Sequence, residues 1–532
     1  MRNLLIAAIT ALLSLAGCDS STSMSGEAAP VGATPKDASQ HEMAGEHIAW
    51  FDGSVDAAFA AAKASNKPLF LYWGAEWCPP CHELKARVFS KPEFIRQSQL
   101  FVPVYLDGDT PNAQQQGEKF RVMGYPTVIL FAPSGQELMR IPGSVDVDRY
   151  VSVLETALNR LQPVGELVTK VENAEAISDS DWQLLAAYEW MQDNGSVLGE
   201  KTGHVTLLML AEQCPERLTT EKNLLTLQAF FGWPNDAIDS EVRQRFMATV
   251  QQLLADQSQF YAAMPYALYS GSSTLQYLPQ TEAERNAILE GYDARYRALI
   301  DDADQDLLTR IDGIYSWVEL HLSQEDQDAL DAAQQQWVGQ QIATLLPQLN
   351  QYQKHSGYYA AASAAINAGL VEEARKLLLD GTEFSQQPYY FMSVLGRLEL
   401  EQGNSDDGLE WHRKAWNASK GPATRLQWGT NYLNELLDNS PDDSATIADA
   451  GAAVIAEFAE QSDAYHQRNR VRLVRLDENL TSWVAAADIS LEARQQRGNA
   501  VAKLYEALQP LCDSVSIEEA QTDCRKLFRK RG

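Results

Sequence analysis

Lys67-Pro68 opens onto Leu69-Phe70-Leu71-Tyr72-Trp73, five apolar residues in a row. An unbroken run of that length is the pattern of a strand buried on both faces. Before it, Val55–Ser65 has helical spacing, and after it a helical stretch runs from Cys78 to about Phe89. Leu100–Leu106 predicts a second strand and Asn112–Arg121 a helix. Thr127–Phe131 predicts a third strand, Pro133-Ser134-Gly135 a turn, Glu137–Ile141 a fourth strand and Val147–Leu161 a closing helix. Strands alternating with helices, then a hairpin and a last helix, predict an α/β domain over 46–161 with a mixed sheet flanked by helices.

From residue 162 to 532 strand signals nearly vanish. Amphipathic stretches follow one another, among them Asp181–Gln192, Val205–Glu212, Asn223–Phe231 and Glu241–Leu254, separated by short Gly, Pro, Asn or Asp breaks. This region is predicted to be all-helical. Ala362, Ala374 and Leu378 recur 34 residues later as Gly396, Gly408 and His412. Small residues at that period let paired helices approach closely, and Leu395-Gly396 through Trp411 and Lys414-Ala415 resembles a tetratricopeptide repeat.

At 532 residues the chain exceeds one core, so several domains are expected. Its net charge of −29 is uneven, with −25 carried by residues 161–532. Such a surface repels phosphate backbones, which excludes nucleic acid as a partner.

Residues 1–18 change the picture again. Arg2, the apolar run Leu4–Leu15 and Leu15-Ala16-Gly17-Cys18 form an export signal too short for a spanning helix. The ending resembles a bacterial lipobox, which implies cleavage before Cys18 and a lipid on its sulfur. Asp19 resembles the residue that retains lipoproteins at the inner membrane. Residues 19–45, rich in Ser, Thr, Gly, Ala and Pro, read as a flexible tether with an r.m.s. span of roughly 30 Å. Together these imply a lipid-anchored protein at the periplasmic face of a bacterial membrane.

The candidate chemistry lies in Trp77-Cys78-Pro79-Pro80-Cys81-His82. A Cys-x-x-Cys pair in an exported chain admits a structural disulfide, a metal half-site, a haem attachment site or a redox centre. Zinc needs four ligands, and no second Cys pair or His cluster stands at suitable spacing. Haem is the rival, because His82 completes a literal C-x-x-C-H. The context separates them: an apolar strand precedes the pair, a helix follows, and Gly124-Tyr125-Pro126-Thr127 leads into a strand about 45 residues later.

That constellation resembles the thioredoxin superfamily, with Gly-Tyr-Pro-Thr as its cis-proline loop. The stretches Lys67–Trp73 and Val88–Phe94 are similar to the C-terminal periplasmic domain of DsbD-type disulfide reductases and to related exported thioredoxins. The resemblance implies a thiol–disulfide oxidoreductase without metal or other cofactor, acting on disulfide-containing periplasmic proteins. Cys78, at a helix N-terminus, is then the attacking sulfur and Cys81 the resolving one. Trp77 shields the pair, and Tyr125 and Pro126 line the groove where a client strand pairs. Pro79 and Pro80 remove two amides that could point at the Cys78 sulfur, which predicts a less acidic thiol. One departure stands out: the buried Asp usual six residues before the first cysteine is Tyr72 here.

Cys512 and Cys524 are predicted to form a structural disulfide, and Cys214 is read as a core thiol at the end of a helix. Two functions fit. One is a membrane-tethered reductase or isomerase recharged by a separate membrane electron donor. The other is a helical-repeat scaffold whose redox module is a regulated clasp on one partner.

Overall fold

Leu69–Gly74 (β1) runs through the middle of a four-stranded sheet with every residue buried. The computed structural model describes residues 47–142, 147–199, 201–264, 266–324, 329–487 and 489–529. The predicted export signal, lipid site Cys18 and tether lie outside the described residues. β1 pairs in parallel with Val102–Asp107 (β2) and antiparallel with Thr127–Phe131 (β3), and β3 pairs antiparallel with Glu137–Pro142 (β4). The order β2-β1-β3-β4 leaves β2 and β4 as edges.

Alternate residues of β1 feed two cores, as the two-residue period requires. Leu69, Leu71 and Trp73 pack with Val55, Ala58 and Ala62 of the helix Val55–Ser65 (α1). Phe70 and Tyr72 pack on the other face with Val88 and Phe89, with Phe94 of Pro92–Ser98 (α3), and with Tyr150 and Leu154 of Val147–Arg160. This second core runs without a break into the helices that follow, through Val164, Leu167 and Leu185. The α/β module and the helical region therefore share apolar packing as well as a chain.

The helical region contains the successive pairs Lys354–Asn367 with Val371–Phe384, Tyr389–Glu401 with Ser405–Ala418, and Pro422–Asn439 with Ser444–Ala459. Gln467–Val484 and Leu491–Ser514 follow. Ala362, Ala374 and Leu378 are fully buried. At the equivalent places 34 residues on, a Cβ added to Gly408 would stand 2.9 Å from the Gly396 carbonyl oxygen. Only hydrogen fits between those backbones.

One sequence expectation shifts. The helix predicted over Asp181–Gln192 stops at Ala187, with a short 3₁₀ turn at Trp190–Gln192. Tyr188 turns extended so that its hydroxyl donates to Glu137 (2.7 Å), and the Glu189 N–H donates to the Arg140 carbonyl of β4 (3.1 Å). Capping an exposed sheet edge outweighs local helix propensity. The stretch Asp513–Glu519 splits between the end of Leu491–Ser514 and a new helix, Glu518–Cys524, and Cys512 is bonded to Cys524 across the break. The chain then docks: Leu527 and Phe528 are buried, and the Phe528 N–H donates to Asp477. Lys530 and Arg531 of the basic tail lie outside the described residues.

Gly408→Ala is expected to overpack the Tyr389–Glu401/Ser405–Ala418 pair and destabilise the helical region by about 1–3 kcal/mol. Denaturant unfolding followed by circular dichroism measures it; an unchanged midpoint would mean the backbones can separate without loss.

Candidate functional site

Cys78 ends an extended segment and caps the helix Pro79–Leu84 (α2), with Pro79 and Pro80 in its first turn. Proline suits those positions because their N–H groups would find no helical acceptor. The first amide available is that of Cys81, and it donates to the Cys78 sulfur at 3.2 Å. Cys78 and Cys81 are disulfide-bonded, 2% and 0% exposed. A π-helical turn, Lys85–Phe89, continues α2 and points Val88 and Phe89 into the core.

The opposite wall is the loop before β3. The Tyr125–Pro126 peptide is cis, and the Tyr125 ring packs on the cysteine pair and edge-on against Trp77, with centroids 5.8 Å apart. Gln114, fully buried on the helix Pro111–Lys119 (α4), fixes this tyrosine: its Nε2 donates to the Tyr125 hydroxyl (3.1 Å) and the Gly108 carbonyl (2.6 Å). Burial pushes the Tyr125 hydroxyl well above its ordinary pKa, so it stays protonated. Tyr72, where a buried Asp was looked for, is fully buried, and its hydroxyl is likewise raised by burial and then by Tyr105. It offers no base for Cys81. Glu76 is exposed, and Trp73 is a core residue whose Nε1 donates to the Ala113 carbonyl. The His82 ring contacts the Glu76 carbonyl rather than the cysteines.

The helical region supplies a third wall. Its N-terminal helix turns meet the cysteine-bearing end of the module one after another. Asp306, capping Leu307–Leu322, pairs with Arg87 at 3.4 Å. Gln387 donates to the Glu76 carbonyl (3.2 Å), and Asp109 accepts from the Thr424 N–H (2.9 Å) and hydroxyl (3.1 Å). Gln467 donates to the Val122 carbonyl, and the Arg468 N–H donates to Gln114 (3.2 Å). The Arg468 guanidinium lies 4.2 Å over the Trp77 ring. Gln114 thus links the cis-proline tyrosine to a helix more than 340 residues away. Nothing in the sequence pairs these residues, although the arginine spacing 468, 472, 475 marks one face of a helix.

Glu118 of α4 closes the contact against His466 (3.2 Å) and Arg470 (2.7 Å). Burial alone would lower His466, but the carboxylates of Glu118 and Asp463 outweigh it and hold the imidazole above its ordinary value. Burial would raise Glu118, and His466 and Arg470 outweigh that and bring it down. The remaining cysteine, Cys214, closes the helix Gly203–Gln213 at 3% exposed, and burial pushes its thiol up to about 12. It is inert at neutral pH.

Residues 55–158 match the family model of the thioredoxin-like domain. Thiol:disulfide interchange protein DsbD 1 of Pseudomonas aeruginosa is 29% identical over 110 residues, covering 20% of this chain and 19% of that protein. DsbD of Haemophilus influenzae is 32% identical over 108 residues, covering 20% and 18%. The chain therefore spans about a fifth of the length of these curated relatives. Among solved structures, a DsbH oxidoreductase is 20% identical and covers 24% of this chain and 96% of its own, with a TM-score of 0.20. The APC/C hetero-tetramer Cut9-Hcn1 covers 71% of this chain at 12% identity and a TM-score of 0.18. The sheet and its flanking helices are a thioredoxin-like domain, and the region after it is all-helical.

The His466 contact has a defined pH window. A raised imidazole stabilises the folded state fully below its unfolded value, near pH 6.5, and that contribution disappears as pH rises through the folded value. The melting temperature of the wild type is therefore expected to fall more between pH 6 and pH 8.5 than that of His466→Gln, with the pH range set by those values. Parallel curves for the two proteins in differential scanning fluorimetry would show that the contact contributes nothing.

Proposed function

We propose that this chain is a thiol–disulfide oxidoreductase working as a reductase or isomerase, with Cys78 attacking and Cys81 resolving. The observation that carries the reading is the Cys78–Cys81 pair at the start of α2, with the cis Tyr125–Pro126 loop packed on it. In the reduced protein the Cys81 N–H stabilises a Cys78 thiolate by the hydrogen bond it already makes to that sulfur. The thiolate attacks one sulfur of a client disulfide, forming a mixed disulfide and expelling the client's other sulfur as a thiolate. Cys81, once deprotonated, attacks the Cys78 sulfur and releases the client's second thiolate. Two electrons and, after protonation, two protons have passed to the client, and Cys78–Cys81 is left as the disulfide seen here. Since Tyr72 is a raised phenol, the Cys81 proton leaves to water.

Two prolines leave Cys78 with one amide instead of several, so the thiolate gains less than at a helix start with free N–H groups. A less stabilised thiolate makes the dithiol a better reductant, which favours reduction over oxidation as the direction. With Cys78 2% exposed beneath Trp77, a client reaches it when the Trp77–Arg468 contact parts.

We assign the protein to the periplasmic face of a bacterial membrane, anchored through Cys18 and recharged by a separate membrane dithiol donor. The support is the lipobox-like Leu15-Ala16-Gly17-Cys18 and the tether after it. Among the described residues no helix is long and apolar enough to cross a membrane. Recharging therefore falls to another protein, and its clients are disulfide-containing proteins of the same compartment.

With dithiothreitol as electron source, the full chain is expected to reduce insulin, and Cys78→Ala to abolish the activity. Cys81→Ala is expected to accumulate mixed disulfides with many clients; a single adduct would favour the scaffold with a regulated clasp. The Cys78–Cys81 potential, read by equilibration with glutathione, is expected near the thioredoxin value of about −270 mV; a value near about −120 mV would overturn the direction.

A further inference from the structure

The helix Gln467–Val484 carries Arg468, Arg472 and Arg475 at i, i+4 and i+7, which places them on one face as a stripe. The stripe starts at the redox centre, where Arg468 covers Trp77. Arg475 is exposed, and Arg468 and Arg472 are half-buried. Among the described residues none of them has a carboxylate within salt-bridge distance. Arg470, which points elsewhere on the same helix, does: it holds Glu118.

What the three arginines do contact is neutral. Arg472 donates to the side-chain oxygen Oδ1 of Asn431 at 3.2 Å. Arg468 stacks on an indole, and one of its guanidinium nitrogens, Nη1, is buried without a hydrogen-bond partner. Asp109 lies near Arg468, but its oxygens accept from Thr424. Tyr390 sits beside Arg468 and Arg472, and its ring meets Trp428 at 5.1 Å. Burial, then the like charges of Arg468 and Arg475, bring Arg472 down to about 10. Asp109 offsets part of the Arg468 charge, while Arg468 and Arg475 still repel Arg472. An anion laid along the stripe relieves that repulsion and satisfies the open donor.

We propose that Arg468, Arg472 and Arg475, with Tyr390 beside them, form a docking face for an acidic segment of the client polypeptide next to its disulfide. This inference rests on the oxidoreductase reading above and names its substrate class. A polypeptide is the occupant because the stripe is continuous with the groove at Trp77 and Tyr125, where a client's disulfide must lie. Carboxylates pair with planar guanidinium forks, and the neighbouring aromatic rings cover the apolar residues between them. The net negative charge of the helical region disfavours acidic chains, so the face selects by position as well as by charge.

The test uses the full reduced chain, dithiothreitol as electron donor, and three peptides of equal length carrying one disulfide, flanked by aspartates, by serines or by lysines. Hydroxyethyl disulfide serves as an uncharged small substrate. The wild type is expected to reduce the acidic peptide with a kcat/KM roughly tenfold above the serine peptide, the size three partly exposed charge pairs can supply. That preference is expected to shrink as salt rises from about 20 mM to about 300 mM. Arg472→Glu/Arg475→Glu is expected to invert it toward the lysine-flanked peptide. If that variant fails to fold by circular dichroism, the salt dependence of the wild type decides. Equal rates for the acidic and serine peptides, a preference that survives the charge reversal, or arginine-dependent sedimentation with phosphatidylglycerol vesicles in place of a peptide preference, overturns the inference. No turnover of hydroxyethyl disulfide by the wild type would instead sink the oxidoreductase reading.

Discussion

Arg140 is a fully buried cation at the edge of the sheet, and the joint between the two halves of the molecule is built around it. A charge out of water is costly unless it is paired and its donors are used. Here Nε and Nη2 donate to Glu137, Nη2 also donates to the Phe120 carbonyl, and Nη1 donates to the Gln192 carbonyl. Tyr188 and Ser196 then donate to the same Glu137 carboxylate. The module supplies the ion pair and the Phe120 carbonyl, and the helical region supplies the Gln192 carbonyl, Tyr188 and Ser196. Neither half satisfies the group alone. This fixes where the first helices sit against β4, and every later helix is laid on from that start.

The thioredoxin-like module was legible because its signals are local. An apolar run, a Cys pair before a helix, and Tyr-Pro before a strand each declare themselves within a few residues. Helices after residue 161 were legible one at a time through their periodicity, and Gly396 and Gly408 announced one close pair. What could not be read is which ends of those helices meet the module. Asp109 meets Thr424 and Gln114 meets Arg468, more than 300 positions apart, through polar contacts that no period encodes. Tyr188 shows the same limit in miniature: its helical neighbourhood gave no hint that a sheet edge would pull it extended. The arginine face of Gln467–Val484 was present in the spacing, but its meaning depended on Trp77 lying under it.

The electrostatics of the centre divide between the halves. The module contributes one amide to the Cys78 sulfur and surrounds it with neutral groups: Trp77, Tyr125 and two prolines. Positive charge comes from the helical region, through Arg468 over Trp77. The electrostatic surroundings of Cys78 thus come from the assembled chain as well as from the Cys-x-x-Cys sequence. A module cut out at residue 161 would carry the same cysteines in a different field.

The contacts that enclose Cys78 arrive from helix starts at residues 306, 387, 424 and 466–468, strung along much of the helical stack. In a row of helix pairs, each pair is held chiefly by its neighbours. The covering of the cysteine-bearing end is thus assembled from helices far apart in the chain, and a change at one pair, Gly396 against Gly408 for instance, reaches it through the helices between.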